Sequence, residues 1–292
     1  MNLWQKYIRP TTVEEALDGL TAAPGPARPI AGGTDLLLDL KQGRHTPVHT
    51  LVDLTNIPEM TALEIRSDSL FIGAAVPLSH MVASELVKQH AQALGEAGQL
   101  VGGPQVRNTA TLGGNVVHAL PAADGTIALM VLQAQAEIAD LQGRRMVPVA
   151  ELFLGPGKSL INPEHEILVG FHLPVRKPHQ ASAFRRIMRT QGTALPILNV
   201  SVWLERKAEC IQDVRIAVGP GGPTPWRAGT AEDSLHGQIY SPAIFASARE
   251  ALLKQVGFRS SAARASAEYR AHLVDNLLNV CLETAWKRAE MD

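Results

Sequence analysis

Two pairs of adjacent glycines, each with an apolar residue directly before it and a threonine within two positions, constrain this chain more than any other feature. The first pair lies in Arg28–Leu38, which reads RPIAGGTDLLL. Such a run predicts a strand, a tight turn and the start of a helix that ends near Gly43. Without a Cβ the backbone can turn sharply and approach a ligand, while unpaired N–H groups and the positive end of the helix dipole favour an anion. The stretch predicts a phosphate site, although an ordinary loop that caps a helix has the same pattern.

The second glycine pair strengthens the phosphate interpretation. It is formed by Gly113 and Gly114 between Thr111 and Asn115, and Asp124 follows shortly after. Such a loop offers backbone donors, two side chains that form hydrogen bonds and a carboxylate. Two loops of this design fit a long ligand with a central diphosphate better than two unrelated surface turns, which are the alternative.

The composition is that of an ordinary globular protein. The chain has 292 residues, 46% of them hydrophobic, which suits two domains or one domain with subdomains. The formal net charge is −1, with 27 basic and 28 acidic residues, so no nucleic-acid or anionic membrane surface is predicted. The sequence has no apolar run long enough to cross a bilayer, and its N-terminus lacks the apolar core of a signal peptide. We therefore expect a cytoplasmic location.

The cysteines and histidines do not form the pattern of a common metal centre. Cys210 and Cys281 are too few for an iron–sulfur cluster or a four-cysteine zinc site, and too far apart for a CxxC motif. Both are predicted to be buried structural thiols. His45 and His49 have i, i+4 spacing, but Pro47 between them disfavours a helical metal pair. No metal site is predicted.

Hydrophobic spacing predicts alternating helices and strands before residue 174. Thr12 and Glu15 have the spacing of a capping box at the start of a helix. The predicted core face of this helix consists of Val13, Ala16, Leu17 and Leu20. Strands are expected at 50–54, 69–75 and 166–174, a mostly helical region at 78–97, and a hairpin around Gly143. Pro174–Pro178 is the best candidate for a domain boundary.

After this boundary, strand-like runs come first and helices last. Strands are predicted around 184–188, 198–204 and 214–218. One helix should begin after Ser241 as N-cap, and a long one should span about 261–287. Tyr269, Leu273, Leu277 and Val280 are spaced to share an apolar stripe on this last helix, which we interpret as a core or interface face. This order predicts an α+β fold.

Several motifs occur in the order found in a known protein family. They are Tyr7–Pro10, Glu14–Leu17, Ala31–Leu36, Val52–Leu54, Ile72–Ala74, Val106–Asn115 and Pro121–Asp124. Together they resemble the FAD-binding medium subunit of molybdenum hydroxylases, the family of xanthine dehydrogenase, aldehyde oxidase and carbon monoxide dehydrogenase. The resemblance covers nearly the whole chain, and two ordered loops are far more specific than a lone glycine motif.

The resemblance implies a fold and a division into domains. The fold is α+β, with a two-subdomain FAD-binding domain of the PCMH/VAO type over 1–176, divided into about 1–55 and 56–176. A CO dehydrogenase flavoprotein-type C-terminal domain, with a three-stranded sheet and helices, would follow over 177–292.

The resemblance also implies noncovalent FAD. Some flavoproteins of the broader fold link FAD to a histidine just before the first glycine loop, where this chain has Pro29–Ala31. The FAD diphosphate would rest on both glycine loops, with Asp124 toward the ribityl or ribose part and Leu168 near the flavin or adenine. Arg185 stands where relatives often carry a lysine, so its geometry toward the flavin differs. The implied contacts are Pro29, Ile30, Ala31, Gly32, Gly33, Thr34, Asp35, Leu36, Thr111, Leu112, Gly113, Gly114, Asn115, Asp124, Leu168 and Arg185.

Each of the last three residues also has a purely structural interpretation. Leu168 has the residue type of a core position, Asp124 could cap a helix that starts near Gly125, and Arg185 could be a surface charge.

The implied activity is electron transfer within a complex. A large subunit with molybdopterin would hydroxylate the substrate, a small subunit with two [2Fe–2S] clusters would carry electrons, and this chain would pass them through FAD to NAD⁺ or another acceptor. With only two cysteines the chain cannot hold the extra cluster of some relatives. Gly155–Lys158 resembles the loop of xanthine dehydrogenase-type members, which indicates a purine-type complex. Hydride transfer from reduced flavin requires no catalytic acid or base in the protein, and none is predicted.

Two other functions fit the same residues. The chain could be a stand-alone FAD oxidoreductase. It could also be a non-redox module that binds a nucleotide or a phosphosugar with the same two loops.

Overall fold

The computed structural model describes residues 3–189, 195–262 and 264–290. Within them the strands and helices are β1 (Trp4–Ile8), α1 (Val13–Thr21), β2 (Ala27–Ile30), α2 (Leu36–Lys41), β3 (Val48–Asp53), α3 (Pro58–Thr61), β4 (Leu63–Arg66), β5 (Ser69–Gly73), α4 (Leu78–Ala83), α5 (Glu85–His90), α6 (Gln92–Leu100), α7 (Pro104–Arg107), α8 (Leu112–Val117), α9 (Asp124–Val131), β6 (Gln135–Asp140), β7 (Gly143–Pro148), β8 (Phe153–Gly155), β9 (Lys158–Ser159), β10 (Ile167–Pro174), β11 (Gln180–Met188), β12 (Pro196–Lys207), β13 (Cys210–Gly219), β14 (Trp226–Arg227), α10 (Gly229–Leu235), α11 (Pro242–Gln255) and α12 (Ala267–Glu290). No helix in these ranges has both the length and the apolar composition that a membrane crossing requires.

A parallel sheet in the order β1-β3-β2 forms the first part of the fold. Helix α1 packs against β2 and β3, and its buried residues are the predicted Val13, Ala16, Leu17 and Leu20. Thr12 is the N-cap, as predicted, because its hydroxyl accepts from the Glu15 N–H at 3.1 Å. The Glu15 carboxylate accepts from the Thr11 N–H at 2.7 Å, one residue before the position that a regular capping box uses. Since the strands are parallel, all three end along the same edge of the sheet.

An antiparallel sheet in the order β4-β5-β10-β6-β7 forms the second part. Strands β6 and β7 are the predicted hairpin around Gly143. Beside it, Arg144 pairs with Glu59 at 2.5 Å and with Glu137 at 2.9 Å, and it reaches Glu14 of α1 at 3.5 Å. This partly exposed ion cluster connects the second part of the fold to the first.

The chain beyond residue 179 forms a third sheet, in the order β11-β12-β13-β14. Three long antiparallel strands occur where the sequence predicts them, and the two-residue strand β14 pairs with the end of β13. The predicted three-stranded sheet is therefore four-stranded. Helix α11 begins after Ser241, whose hydroxyl accepts from the Ile244 N–H at 3.4 Å, as the sequence predicts.

The predicted apolar stripe on α12 is right for Leu277, which is buried, and for Leu273, which packs against the core, but it is wrong for Tyr269 and Val280 as core residues. Tyr269 and Val280 are exposed, by 45% and 36%. The buried residues of α12 are Arg270, Val274, Leu277, Leu278, Cys281, Leu282, Ala285, Trp286 and Ala289. This face packs against β11 and β12. Because the first buried residue of this face is an arginine, the pattern of apolar side chains alone did not reveal which face of α12 is buried.

The two cysteines lie in different environments. Cys281 is completely buried, as predicted, and burial raises the pKa of its thiol to about 12. Cys210, the first residue of β13, is only half-buried. The prediction that both thiols are buried is therefore wrong for Cys210.

Helix α9 lies where the earlier and later parts of the chain meet. All eight of its residues are buried, and it packs against α6 and α8 as well as β12 and β13. Phe184, Trp203 and Ala217 of the later part belong to the same hydrophobic core as β5, α9 and β10. The α+β class is as predicted, while the division at 176/177 stays a prediction.

Candidate functional site

The first glycine loop lies at the edge where the parallel strands end. It follows Ile30, the last residue of β2, which is level with Asp53 at the end of β3. Gly33 has a φ of +65°, a left-handed conformation that favours glycine. The N–H groups of Gly33, Thr34 and Asp35 have no acceptor among the described residues. The loop therefore presents adjacent unpaired donors at the edge where α/β folds bind ligands.

The two glycine regions are in direct contact through Gly32. A Cβ on this residue would lie 2.1 Å from the Thr109 carbonyl oxygen and 2.8 Å from the Ala110 Cα. Only glycine leaves room for this approach, and Thr109 and Ala110 lead directly into the second loop. The structure thus brings together two stretches that are far apart in the sequence.

The second loop differs from what the sequence predicts. Thr111 caps α8, and its hydroxyl accepts from the Gly114 N–H at 3.1 Å. The N–H groups of Leu112, Gly113 and Asn115 donate to backbone oxygens. The expected free backbone donors are therefore absent from Leu112–Asn115, because helix α8 and its packing contacts use them. Gly114 itself is exposed, so this loop offers a surface on which no side chain hinders the approach of a ligand.

Asn115 and Gly113 fix this loop to its neighbours. The Asn115 Oδ1 accepts from the Gly125 N–H at 3.1 Å, which joins α8 to α9. A Cβ on Gly113 would lie 2.6 Å from the Cβ of Ala74, and the Gly113 N–H donates to the Ala74 carbonyl at 3.0 Å. Both residues therefore hold the loop in place in this structure.

Asp124 is buried in a polar cluster. Its side chain is 4% exposed, and Arg186 and Asn199 each donate to one of its oxygens. Burial raises the pKa of the Asp124 carboxyl to about 6, against the opposing effect of the Arg186 charge. Asp124 is the first residue of α9. A contact with the ribityl or ribose part of FAD stays a prediction.

Leu168 lies in the core of the second sheet, opposite Ile138 of β6, and is 5% exposed. The next residue, Val169, accepts at its carbonyl from the Ala74 N–H at 2.9 Å, and Ala74 contacts Gly113. Leu168 is therefore close to the second loop through the backbone. Its packing against the flavin or adenine stays a prediction.

Arg185 pairs with Glu96 of α6 at 3.1 Å and donates to the Phe184 carbonyl at 2.6 Å. Its contact with the flavin stays a prediction. The sequence analysis missed the next residue, Arg186, and its cross-strand neighbour Asn199. A polar residue within the apolar run of β12 was the signal that could have indicated Asn199.

The arrangement fits a nucleotide with a diphosphate. The first loop supplies unpaired donors, the second supplies an open glycine surface, and Gly32 keeps the two in contact. Pro29 and Ile30 belong to β2, and Leu36 begins α2, so the predicted first-loop residues form one continuous turn.

Two family profiles match the chain. The FAD binding domain in molybdopterin dehydrogenase matches residues 3–176, and the CO dehydrogenase flavoprotein C-terminal domain matches residues 182–285. Among curated proteins, the chain is 31% identical to the xanthine dehydrogenase FAD-binding subunit of Escherichia coli O157:H7, covering 96% of this chain and 95% of that protein. It is 32% identical to the nicotine 6-hydroxylase medium subunit of Paenarthrobacter nicotinovorans, covering 97% and 98%.

A solved structure shows the same fold. It is a carbon monoxide dehydrogenase from Hydrogenophaga pseudoflava that lacks the Mo-pyranopterin moiety of the molybdenum cofactor. The TM-score is 0.91 at 26% identity, and the match covers 99% of both chains.

Proposed function

Because this chain belongs to the family of FAD-binding subunits of molybdenum hydroxylases, we propose that it holds FAD between its two glycine loops. The bound FAD passes electrons to an acceptor. The observation that carries this proposal is the contact of Gly32 with Thr109 and Ala110. This contact sets the first loop against the two residues that lead into the second loop.

The proposed contacts are residues that the sequence predicts, but the two loops contribute to the site in different ways. Gly33, Thr34 and Asp35 donate their N–H groups to the diphosphate, since these donors have no acceptor among the described residues. Gly114 lets the ligand approach the second loop. Thr111 and Asn115 keep that loop in shape through the hydrogen bonds described above.

Bound FAD supplies the redox chemistry, including the change between one- and two-electron steps. The protein's own task is to bind and orient the group and to leave one face open to the acceptor. We assign no acid or base on this chain to that task.

We further propose a complex with two partners, a large subunit with molybdopterin and a small subunit with two [2Fe–2S] clusters. The names of the relatives support this assembly, because two of them are a medium subunit and a medium chain. The acceptor is NAD⁺ or another electron acceptor, and the complex is xanthine dehydrogenase-like and cytoplasmic. The FAD-binding domain spans 1–176, and the C-terminal domain spans 177–292.

The spectrum of the purified protein tests the FAD proposal. We expect a yellow protein with an oxidised flavin spectrum, whose flavin is released intact when acid denatures the chain. A colourless protein that takes up no FAD on reconstitution would refute the proposal and favour the non-redox nucleotide module.

Copurification tests the role as a subunit. We expect a tagged chain to bring down a molybdopterin protein and a two-cluster protein. The purified complex should hydroxylate purines, and parallel assays with aldehydes and N-heteroaromatics, each with NAD⁺ or a dye, define its substrate and acceptor. A chain that is purified alone and oxidises a substrate without partners would favour the stand-alone oxidoreductase.

A further inference from the structure

Arg186 of β11 holds both ends of the segment that contains the second glycine loop. Its Nη1 donates to the Asp124 carboxylate, and its Nη2 donates to the Leu100 carbonyl. Leu100 is the last residue of α6, and Asp124 is the first residue of α9. One guanidinium group therefore fixes the two ends of the chain between 100 and 124.

Asn199 of β12 forms further hydrogen bonds to the same segment. It is the cross-strand neighbour of Arg186. Its side-chain amide donates to the Asp124 Oδ1 at 2.8 Å and to the Ala122 carbonyl at 3.1 Å. Two neighbouring strands of the third sheet thus hold residues on both sides of the second loop.

The position of this segment determines the gap between the two glycine loops. Gly32 lies directly against Thr109 and Ala110, which belong to the segment. Because this contact has no spare room, any shift of 100–124 changes the distance between the unpaired donors of the first loop and Gly114. Held in one position, the loops need no rearrangement when a ligand binds.

Arg186 cannot act by touching a ligand. Its side chain is only 3% exposed, and its Nε is buried without a partner among the described residues. Net stability is a weak explanation for the pair, because burial raises the pKa of Asp124 to about 6 in spite of the adjacent guanidinium. Buried ion pairs often contribute little net stability but fix one arrangement of their neighbours.

We propose that Arg186 is a positioning residue for FAD, which sets the spacing of the two glycine loops from the third sheet and makes flavin affinity depend on that sheet. This inference rests on the proposed FAD function. It assigns the later part of the chain a role in binding that neither glycine loop reveals.

FAD titration of full-length apoprotein tests the proposal. Arg186→Met removes both donors, and we expect the dissociation constant for FAD to rise about tenfold or more. Arg186→Lys keeps a charge that reaches one acceptor, so its affinity should be intermediate. Arg249→Met is the matched control, because Arg249 lies on α11 and, among the residues that the structure describes, forms an ion pair with the exposed Asp275 alone. Thermal unfolding of each apoprotein separates affinity from stability.

A merely structural role gives a different pattern. It lowers the melting temperature of Arg186→Met but leaves FAD affinity within about twofold of wild type, and this result would overturn the proposal. If Arg186→Met does not fold, the double variant Asp124→Asn/Arg186→Met takes its place, because it leaves no buried carboxylate without a partner. That double variant should bind FAD more weakly than Asp124→Asn alone, and equal affinities would overturn the proposal. A wild-type protein that binds no FAD refutes the proposed function itself.

Discussion

Replacing Gly32 with alanine tests the contact that joins the two loops. The new Cβ would lie 2.1 Å from the Thr109 carbonyl oxygen and 2.7 Å from its carbonyl carbon, whereas ordinary contact begins at 3.4 Å. Both atoms belong to the backbone, so the loops must separate by about 1 Å rather than turn a side chain away. Insertion of a methyl group into a packed contact costs about 1–3 kcal/mol.

The consequence for binding follows from how this strain is relieved. In the apoprotein the first loop can move away from the segment 100–124, so the free energy of unfolding should fall by less than the full cost of about 1–3 kcal/mol. Bringing them back around FAD restores the clash, and about 1–3 kcal/mol corresponds to a dissociation constant roughly 5- to 150-fold higher.

Flavin fluorescence during titration of apoprotein measures this change. The matched control is Gly222→Ala, since a Cβ on Gly222 would have no atom of a described residue within 4 Å. We expect the control to bind FAD as the wild type does. If Gly32→Ala binds with wild-type affinity and keeps wild-type stability, the two loops do not act as one site.

Three further predictions concern single groups. Because burial raises the pKa of the Cys281 thiol to about 12, a thiol reagent should label Cys210 alone in the folded protein, and equal labelling rates for both would contradict this. Burial raises the pKa of Asp124 to about 6, so between about pH 4 and 6 the folded state keeps a proton that the unfolded state has lost. The contribution of Asp124 to the free energy of unfolding should therefore fall as the pH rises through this window. The difference in urea midpoint between wild type and Asp124→Asn should therefore change in this window and be constant above about pH 7, and a difference that is constant throughout would argue against the raised pKa. Thr12→Ala should lower the free energy of unfolding by about 1 kcal/mol through loss of the helix cap, with Thr12→Ser as the control, and equal urea midpoints for the two variants would count against the cap.

Local patterns predicted local structure well. The N-caps at Thr12 and Ser241 and the hairpin at Gly143 each depend on residues within a few positions of one another, and all three are present. The family resemblance supplied the FAD-binding assignment, whereas the two glycine loops alone indicated only a long ligand with a central diphosphate.

Features that depend on distant contacts could not be predicted in the same way. The spacing of apolar residues on α12 indicated a face through Tyr269, but the helix turns Arg270 inward, where its side chain donates to the Ile197 carbonyl at 2.9 Å. A charged residue whose partner is a distant backbone oxygen looks like a surface residue in the sequence.

The arginine pair of β11 has the same explanation. Two adjacent arginines on a strand point to opposite faces, and the sequence does not say which face meets α9. The structure pairs Arg185 with Glu96 and Arg186 with Asp124. The free donors of the second loop were overestimated because Thr111 accepts from Gly114 and Asn115, and distant acceptors such as the Ala74 carbonyl take the other N–H groups.

Helix α9 has no face toward solvent, and its side chains share one core with residues of the third sheet such as Phe184, Trp203 and Ala217. This limits how members of such a family can exchange parts during evolution. A C-terminal region inherited from a relative brings its own β12 and β13, which must match the α9 already present. Recombination at the boundary between the two family profiles would therefore give a core in which α9 and the third sheet pack poorly. We expect residues 124–131 to be inherited together with 196–219 rather than with the glycine loops alone.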